Sequence, residues 1–101
     1  LIVWDVEKRT RVKTLTGHTN YVFSCCFNAQ GTLIASGSFD ETVRVWDVQR
    51  GRCLHVLDKH REAVTSVHFN RDGMNLLSGG MDGSIYIWDT RTGQVLGTLQ
   101  V

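Results

Sequence analysis

The sequence predicts an all-β fold built from a repeated unit of four short strands, on three observations. The dipeptide Trp-Asp recurs at a constant interval of 42 residues, at Trp4-Asp5, Trp46-Asp47 and Trp88-Asp89. Within each interval, short segments rich in β-branched and aromatic residues alternate with turn residues, which is the pattern of strands in an antiparallel sheet. No segment shows the apolar period of 3.6 residues that would indicate a helix.

The period divides the chain into three units. Residues 1–15 form a half unit with the third and fourth strands only, and residues 16–57 and 58–101 form complete units. The two complete units align without a gap, and identical residues recur at equivalent positions: Leu15 and Leu57, His18 and His60, Val22 and Val64, Gly31 and Gly73, Ser36 and Ser78, Asp40 and Asp82. Such repetition is typical of units that bury their apolar faces against neighbouring copies.

The first complete unit is predicted to hold four strands: Val22–Phe27, Leu33–Ser38, Val43–Asp47 and Cys53–Leu57. A turn over residues 28–31 joins the first two, and Gly31 at its last position suits a left-handed backbone. The second strand begins with a continuously apolar run, residues 33–35, which favours burial on both of its faces.

The second complete unit repeats this order, with predicted strands at Val64–Phe69, Asn75–Gly79, Ser84–Asp89 and Val95–Leu99. Gly73 ends the turn equivalent to that of Gly31. A second turn, over residues 81–84, corresponds to residues 39–42 of the preceding unit.

Composition excludes several classes of function. The 101 residues carry a net charge of +1, and basic residues are interleaved with acidic ones, so no basic footprint for nucleic acid is present. No apolar run approaches the length of about 18 residues that spans a membrane, and no secretory signal is evident. The three cysteines, Cys25, Cys26 and Cys53, lack metal-ligand spacing and indicate a reduced, intracellular protein.

His18, Ser36 and Asp40 are the residue types of a catalytic triad. The same types recur as His60, Ser78 and Asp82, and a duplicated set indicates a structural unit because catalysis needs one placed nucleophile. The sequence contains no phosphate-binding loop, metal-ligand cluster or nucleophile elbow. We therefore expect a protein that is not an enzyme and that binds no metal or cofactor.

The period, the Gly17-His18 element and the Trp-Asp endings resemble the WD40 repeat family. The resemblance implies a β-propeller of which this chain supplies about two and a half four-stranded blades. We expect them to belong to a seven-bladed ring on a longer chain, and a ring assembled from short chains is the alternative. In WD40 proteins a hydrogen-bonded tetrad joins Trp, Ser, His and Asp. The equivalent sets here are His18, Ser36, Asp40, Trp46 and His60, Ser78, Asp82, Trp88.

Two details of the tetrads stay open at the level of sequence. Strand alternation permits either Ser36 or Ser38 as the serine of the first set. In the second set, Lys59 replaces the glycine expected before His60, so the approach of that loop is expected to differ.

Four stretches are similar to one subfamily, the WD-repeat subunit shared by histone H3 lysine-4 methyltransferase complexes of the COMPASS or MLL type. They are residues 17–23, 36–41, 43–48 and 68–73. The resemblance implies a non-enzymatic nuclear scaffold whose central channel grips an arginine of histone H3 or of a methyltransferase subunit. Its partners would be other protein subunits and the histone H3 tail, with no direct nucleic-acid or membrane contact.

The same resemblance implies the peptide-binding residues. Phe23 would be one of two aromatic rings that clamp the guanidinium, and the other ring would lie outside this chain. Thr65 falls at the channel wall, Tyr21 and Phe39 fall on the same face, and Met81 replaces an aromatic residue of the family. The alternative is that Phe23 is a packed strand residue and that the chain is a general WD40 assembly scaffold, for example in RNA processing or ubiquitin ligation.

Overall fold

The computed structural model describes residues 1–5 and 10–100, and confirms the all-β prediction. Residues 6–9 of the predicted half unit and Val101 lie outside the described residues. Ten strands are described: β1 (Ile2–Asp5), β2 (Thr10–Thr14), β3 (Val22–Phe27), β4 (Leu33–Ser38), β5 (Val43–Asp47), β6 (Arg52–Leu57), β7 (Val64–Phe69), β8 (Asn75–Gly80), β9 (Ser84–Asp89) and β10 (Val95–Gln100).

These strands form three antiparallel sheets in which consecutive strands pair. The sheets are β1-β2, β3-β4-β5-β6 and β7-β8-β9-β10, and we call the two four-stranded sheets the first and second blade. The strands agree with the predicted segments, except that β6 begins one residue earlier and β8 and β10 each extend one residue further. β3 and β7 are edge strands that pair on one side only and lie next to each other.

The turns at one end of the blades follow the predicted glycine chemistry. Gly31 and Gly73 both have a φ of 75°, a left-handed conformation that glycine adopts without steric cost. In each turn an asparagine side chain caps the returning strand: the Oδ1 atom of Asn28 accepts the Leu33 N–H, and that of Asn70 accepts the Asn75 N–H.

The core lies between the blades. One cluster joins the first blade to the second and contains Ala35, Val43, Val45, Leu57, Val64, Val67, Leu76 and Trp88. Another joins the β1-β2 sheet to the first blade and contains Val3, Leu15, Ile34 and Trp46. Because β4 is covered on both faces, its residues from Ile34 to Ser38 are all buried, which explains the apolar run at its start.

The outer face of the second blade repeats the apolar pattern of the face that the first blade buries. Its residues at the positions of Ala35, Val43, Val45 and Leu57 are Leu77, Ile85, Ile87 and Leu99. In the structure 39% of Leu77 and 57% of Leu99 are exposed. The second blade therefore presents an apolar face with the composition of a blade-to-blade interface. No helix among the described residues is long and apolar enough to cross a membrane.

Candidate protein-binding site

Two β-bulges lie on the neighbouring edge strands. The register of β3 on β4 shifts between Val22 and Ser24, and that of β7 on β8 shifts between Val64 and Ser66. Phe23 and Thr65 are the extra residues at these equivalent positions. A bulge leaves its extra residue unpaired in the ladder, and both side chains are exposed. The sequence showed that the positions correspond but gave no signal of the bulges.

An aromatic pair forms beside the first bulge. The rings of Phe23 and Phe39 lie 5.8 Å apart between centroids, with an interplanar angle of 44°, within the range of favourable aromatic contacts. The backbone N–H of Phe39 donates to the carbonyl oxygen of Tyr21 over 2.8 Å. The structure thus brings together the three aromatic residues that the resemblance selected. About half of each ring of the pair stays accessible, and Tyr21 is 77% exposed.

An open cleft of about 260 Å³ lies between Phe39 and the second blade. Phe39 and Glu41 line it from the first blade, and Glu62, Ala63 and Met81 line it from the second. The N–H of Met81 donates to the carbonyl oxygen of Ala63 over 2.9 Å, as Phe39 does to Tyr21. Sequence reasoning placed Met81 on this face but missed the two glutamates, which give the cleft a negative charge.

The first tetrad forms a continuous hydrogen-bonded chain. The indole N–H of Trp46 donates to the Oγ of Ser36 over 2.8 Å, and this Oγ lies 2.6 Å from the Nε2 of His18. The Nδ1 of His18 lies 2.9 Å from the Oδ2 of Asp40. A neutral imidazole that donates from Nδ1 to the carboxylate and accepts the Ser36 O–H at Nε2 satisfies every contact. Of the two candidate serines, Ser36 is the one that belongs to this tetrad.

The second tetrad is less complete. Trp88 donates to the Oγ of Ser78 over 2.7 Å, and this Oγ lies 2.8 Å from the Nε2 of His60. The Nδ1 of His60, however, is buried without a hydrogen-bond partner among the described residues. Asp82 acts on His60 through its charge. The ring of Tyr86 packs edge-on against the imidazole, with centroids 4.7 Å apart.

The residue before the tetrad histidine differs between the two blades, and so does the side chain that lies against it. A Cβ at Gly17 would lie only 2.6 Å from the Nη1 of Arg44, and the φ of 156° at Gly17 is one that residues with a side chain rarely adopt. At the equivalent place in the second blade, the Tyr86 hydroxyl donates to the carbonyl oxygen of Lys59 over 3.2 Å. Lys59 does not share the positive φ of Gly17, so a side chain is accepted before His60 without backbone strain.

The comparison with protein families agrees with this architecture. The family model described as WD domain, G-beta repeat matches residues 9–47 and 51–89. The chain belongs to the WD40 repeat family. Each matched segment of this WD40 chain ends at a Trp-Asp dipeptide, and it spans the last strand of one sheet and the first three strands of the next.

Curated relatives are similar over a single repeat. The chain is 44% identical over 45 residues to the periodic tryptophan protein 2 homolog of Schizosaccharomyces pombe, covering 45% of this chain and 5% of the relative. It is 49% identical over 43 residues to the guanine nucleotide-binding protein subunit beta-5b of Danio rerio, covering 43% and 11%. The guanine nucleotide-binding protein subunit beta of Schizosaccharomyces pombe is 42% identical over 43 residues, covering 43% and 14%. The aligned part of the WD40 chain thus spans a small fraction of each relative.

Electrostatics supports a structural role for the tetrads. Burial lowers the pKa of both His18 and His60, and at His18 this outweighs the opposing effect of Asp40. Burial also raises the pKa of Asp40, but hydrogen bonds from Thr42, His18 and Thr19 outweigh it and hold that pKa well below its usual range. Ser36 is fully buried and accepts the Trp46 N–H, so its hydroxyl is inaccessible to a substrate. WD40 repeats are in general non-catalytic scaffolds.

The described residues offer no group of three or more His, Cys, Asp or Glu side chains that could hold a metal ion. The three cysteines have free thiols, and burial raises the pKa of the Cys26 thiol. The accessible aromatic pair and the cleft beside it make the exposed face around them the candidate site of this WD40 chain.

Proposed function

We propose that this WD40 chain is part of a non-enzymatic scaffold that binds an arginine-containing peptide at the face formed by Phe23, Phe39 and the cleft. The observation that carries the proposal is the accessible Phe23–Phe39 pair beside a cleft bordered by two glutamates. A planar, weakly hydrated guanidinium stacks on aromatic faces, and carboxylates complement its charge. A desolvated cation–π contact contributes about 2 kcal/mol or more.

The finer form of the proposal is a nuclear subunit of a histone H3 lysine-4 methyltransferase complex. Its support is the resemblance of residues 17–23, 36–41, 43–48 and 68–73 to that subfamily, together with the exposure of Phe23 at a bulge. Thr65 occupies the equivalent bulge of the second blade, where a small hydroxyl leaves room for an extended peptide. The partners in this form are methyltransferase subunits and the histone H3 tail.

The test is a binding titration on the natural full-length protein. An N-terminal histone H3 peptide and the same peptide with its arginine changed to Ala are added to the wild type, to Phe23→Ala and to Phe27→Ala. Phe27 is a matched control because it lies on the same strand with similar exposure, 54% against 51%, but at the opposite end. Truncating a buried aromatic anchor costs about 2 kcal/mol or more of binding free energy.

We expect arginine-dependent binding that Phe23→Ala abolishes and Phe27→Ala preserves. Binding that ignores the arginine, or that both variants weaken equally, contradicts an arginine site at Phe23. Unfolding midpoints measured for both variants separate loss of binding from loss of folding.

A second candidate function is a general assembly scaffold in another complex. The observation that favours it is the similarity of single repeats to proteins with different names, including a periodic tryptophan protein and G-protein β subunits. Absence of binding to the histone peptide in the titration supports this candidate over the first.

A further inference from the structure

The turns that carry Phe39 and Met81 are held differently, although they occupy equivalent positions. In both turns the N–H of the apolar residue donates to the carbonyl oxygen of the facing loop, at Tyr21 and Ala63 respectively. The residue before it is Ser38 in the first blade and Gly80 in the second. The first turn thus has a hydroxyl at a place where the second has none.

That hydroxyl is fully buried and joins two parts of the site. The Oγ of Ser38 donates to the carbonyl oxygen of Tyr21 over 2.9 Å and accepts the N–H of Asp40 over 3.1 Å. We call this pair of contacts the Ser38 bridge. The bridge connects Ser38 and Asp40, which flank Phe39, to the loop before β3. The N–H of Phe39 donates to the same Tyr21 carbonyl oxygen. Asp40 in turn belongs to the first tetrad, so the bridge also connects this turn to the tetrad.

In the second blade, other side chains fill the space that the Ser38 Cβ occupies in the first blade. A Cβ at Gly80 would lie 2.7 Å from the Nδ1 of His60 and 2.9 Å from the Oδ1 of Asp82. The histidine and aspartate side chains therefore occupy the region that a serine would need. The turn of Met81 is flanked by Gly80 and, two residues later, by Gly83 with a φ of 83°, and glycine gives a backbone the greatest conformational freedom.

We propose that Ser38 is a positioning residue that fixes Phe39 against Phe23, whereas the equivalent turn of the second blade lacks this bridge and presents the flexible side chain of Met81 to the cleft. This inference rests on the proposed peptide site. A preorganised aromatic wall lowers the entropic cost of binding, and an adaptable methionine accommodates different residues beside the arginine.

The test uses the natural full-length protein and three variants, Ser38→Ala, Ser38→Gly and Thr90→Val. Ser38→Gly introduces the residue that the second blade has at this position, and Thr90→Val is the matched control. The Thr90 Oγ1 is buried without a hydrogen-bond partner among the described residues, so Thr90→Val deletes a buried hydroxyl outside the Ser38 bridge. Amide hydrogen exchange at Phe39, Asp40, Met81 and Asp82 measures the positioning without any peptide. Titration with the histone H3 peptide measures its effect on binding.

We expect faster exchange at Phe39 and Asp40 in both Ser38 variants, and wild-type exchange in Thr90→Val. Affinity for the peptide should fall about fivefold in Ser38→Ala and stay within about twofold in the control. Wild-type exchange at Phe39 in the Ser38 variants, or faster exchange with unchanged affinity, overturns the positioning role. If the wild type binds no arginine peptide, the proposed function fails by itself, and the exchange rates still decide whether the Ser38 bridge holds Phe39.

Discussion

His18 and Asp40 are joined by a 2.9 Å contact between Nδ1 and Oδ2, and their side chains are only 5% and 8% exposed. Asp40 also accepts the backbone N–H groups of Thr19 and Thr42. One carboxylate therefore organises the loop before β3, which carries Tyr21, and the turn between β4 and β5, which carries Phe39.

Replacing Asp40 by Ala should therefore destabilise the blade. Orphaning the Nδ1–H of buried His18 and releasing two backbone N–H groups should lower the free energy of unfolding by about 1–3 kcal/mol. Asp72→Ala is the control, since Asp72 is exposed and accepts the N–H of Met74 in a turn. Urea titrations measure both, and an unfolding midpoint of Asp40→Ala equal to that of the control contradicts the role of the tetrad.

The two buried histidines should make stability depend on pH. Burial lowers the pKa of His18 and His60 below 6.5, so as the pH falls through 6.5 the unfolded chain binds protons first and the free energy of unfolding decreases. A further decrease should follow below pH 3.8, because the pKa of folded Asp40 is lowered as well. Denaturation midpoints across this range measure the slope. A stability that rises from about pH 7 to about pH 5 contradicts neutral buried histidines.

Glu41 occupies a backbone conformation that suits glycine. Its φ is 72°, and the equivalent residue of the second blade is Gly83 with a φ of 83°. Glu41→Gly should raise the free energy of unfolding by about 0.5–1 kcal/mol because it relieves a left-handed non-glycine residue. The reciprocal change, Gly83→Glu, should lower it by a similar amount. Thermal unfolding of both variants is the measurement, and equal shifts of the same sign refute the strain.

The negative charge of the cleft should contribute to recognition of a basic peptide. Glu62→Gln should weaken binding of the histone H3 peptide about threefold, and the difference should shrink at high salt because exposed charges are screened. Asp72→Asn is the charge-matched control, since it lies in the turn between β7 and β8, at the opposite end of the blade. Titrations at two ionic strengths measure the effect. A loss that is equal in the control, or independent of salt, removes the glutamate from the binding site.

Much of the fold follows from the sequence because repetition supplies an internal alignment. Residues that recur with one period predict the strand bounds, the left-handed Gly31 and Gly73 and the histidine and tryptophan of each tetrad. The structure decides between Ser36 and Ser38, which the sequence left open. Strand ends such as Arg52 and Gly80 differ from the prediction by one residue, because hydrogen bonding extends a strand beyond its apolar pattern.

The candidate site was predictable only in part. The resemblance selected Phe39 and Met81, which the structure places on facing walls of one cleft, and Phe23, which contacts Phe39. Side-chain identity does not encode the bulges at Phe23 and Thr65. Glu41 and Glu62 belong to different blades, so their meeting depends on how the blades pack. The different bonding of His18 and His60 at Nδ1 is likewise unmarked in the sequence, because both tetrads contain the same four residue types.

The apolar outer face of the second blade has a consequence for what can pack against it. Leu77 and Leu99 lie on a surface whose equivalent in the first blade is covered by the second blade. A further sheet that docks there would meet an apolar surface, and its fit would depend on shape and hydrophobicity more than on charge. Leu99→Lys should therefore weaken such docking, because burying an unpaired charge costs free energy.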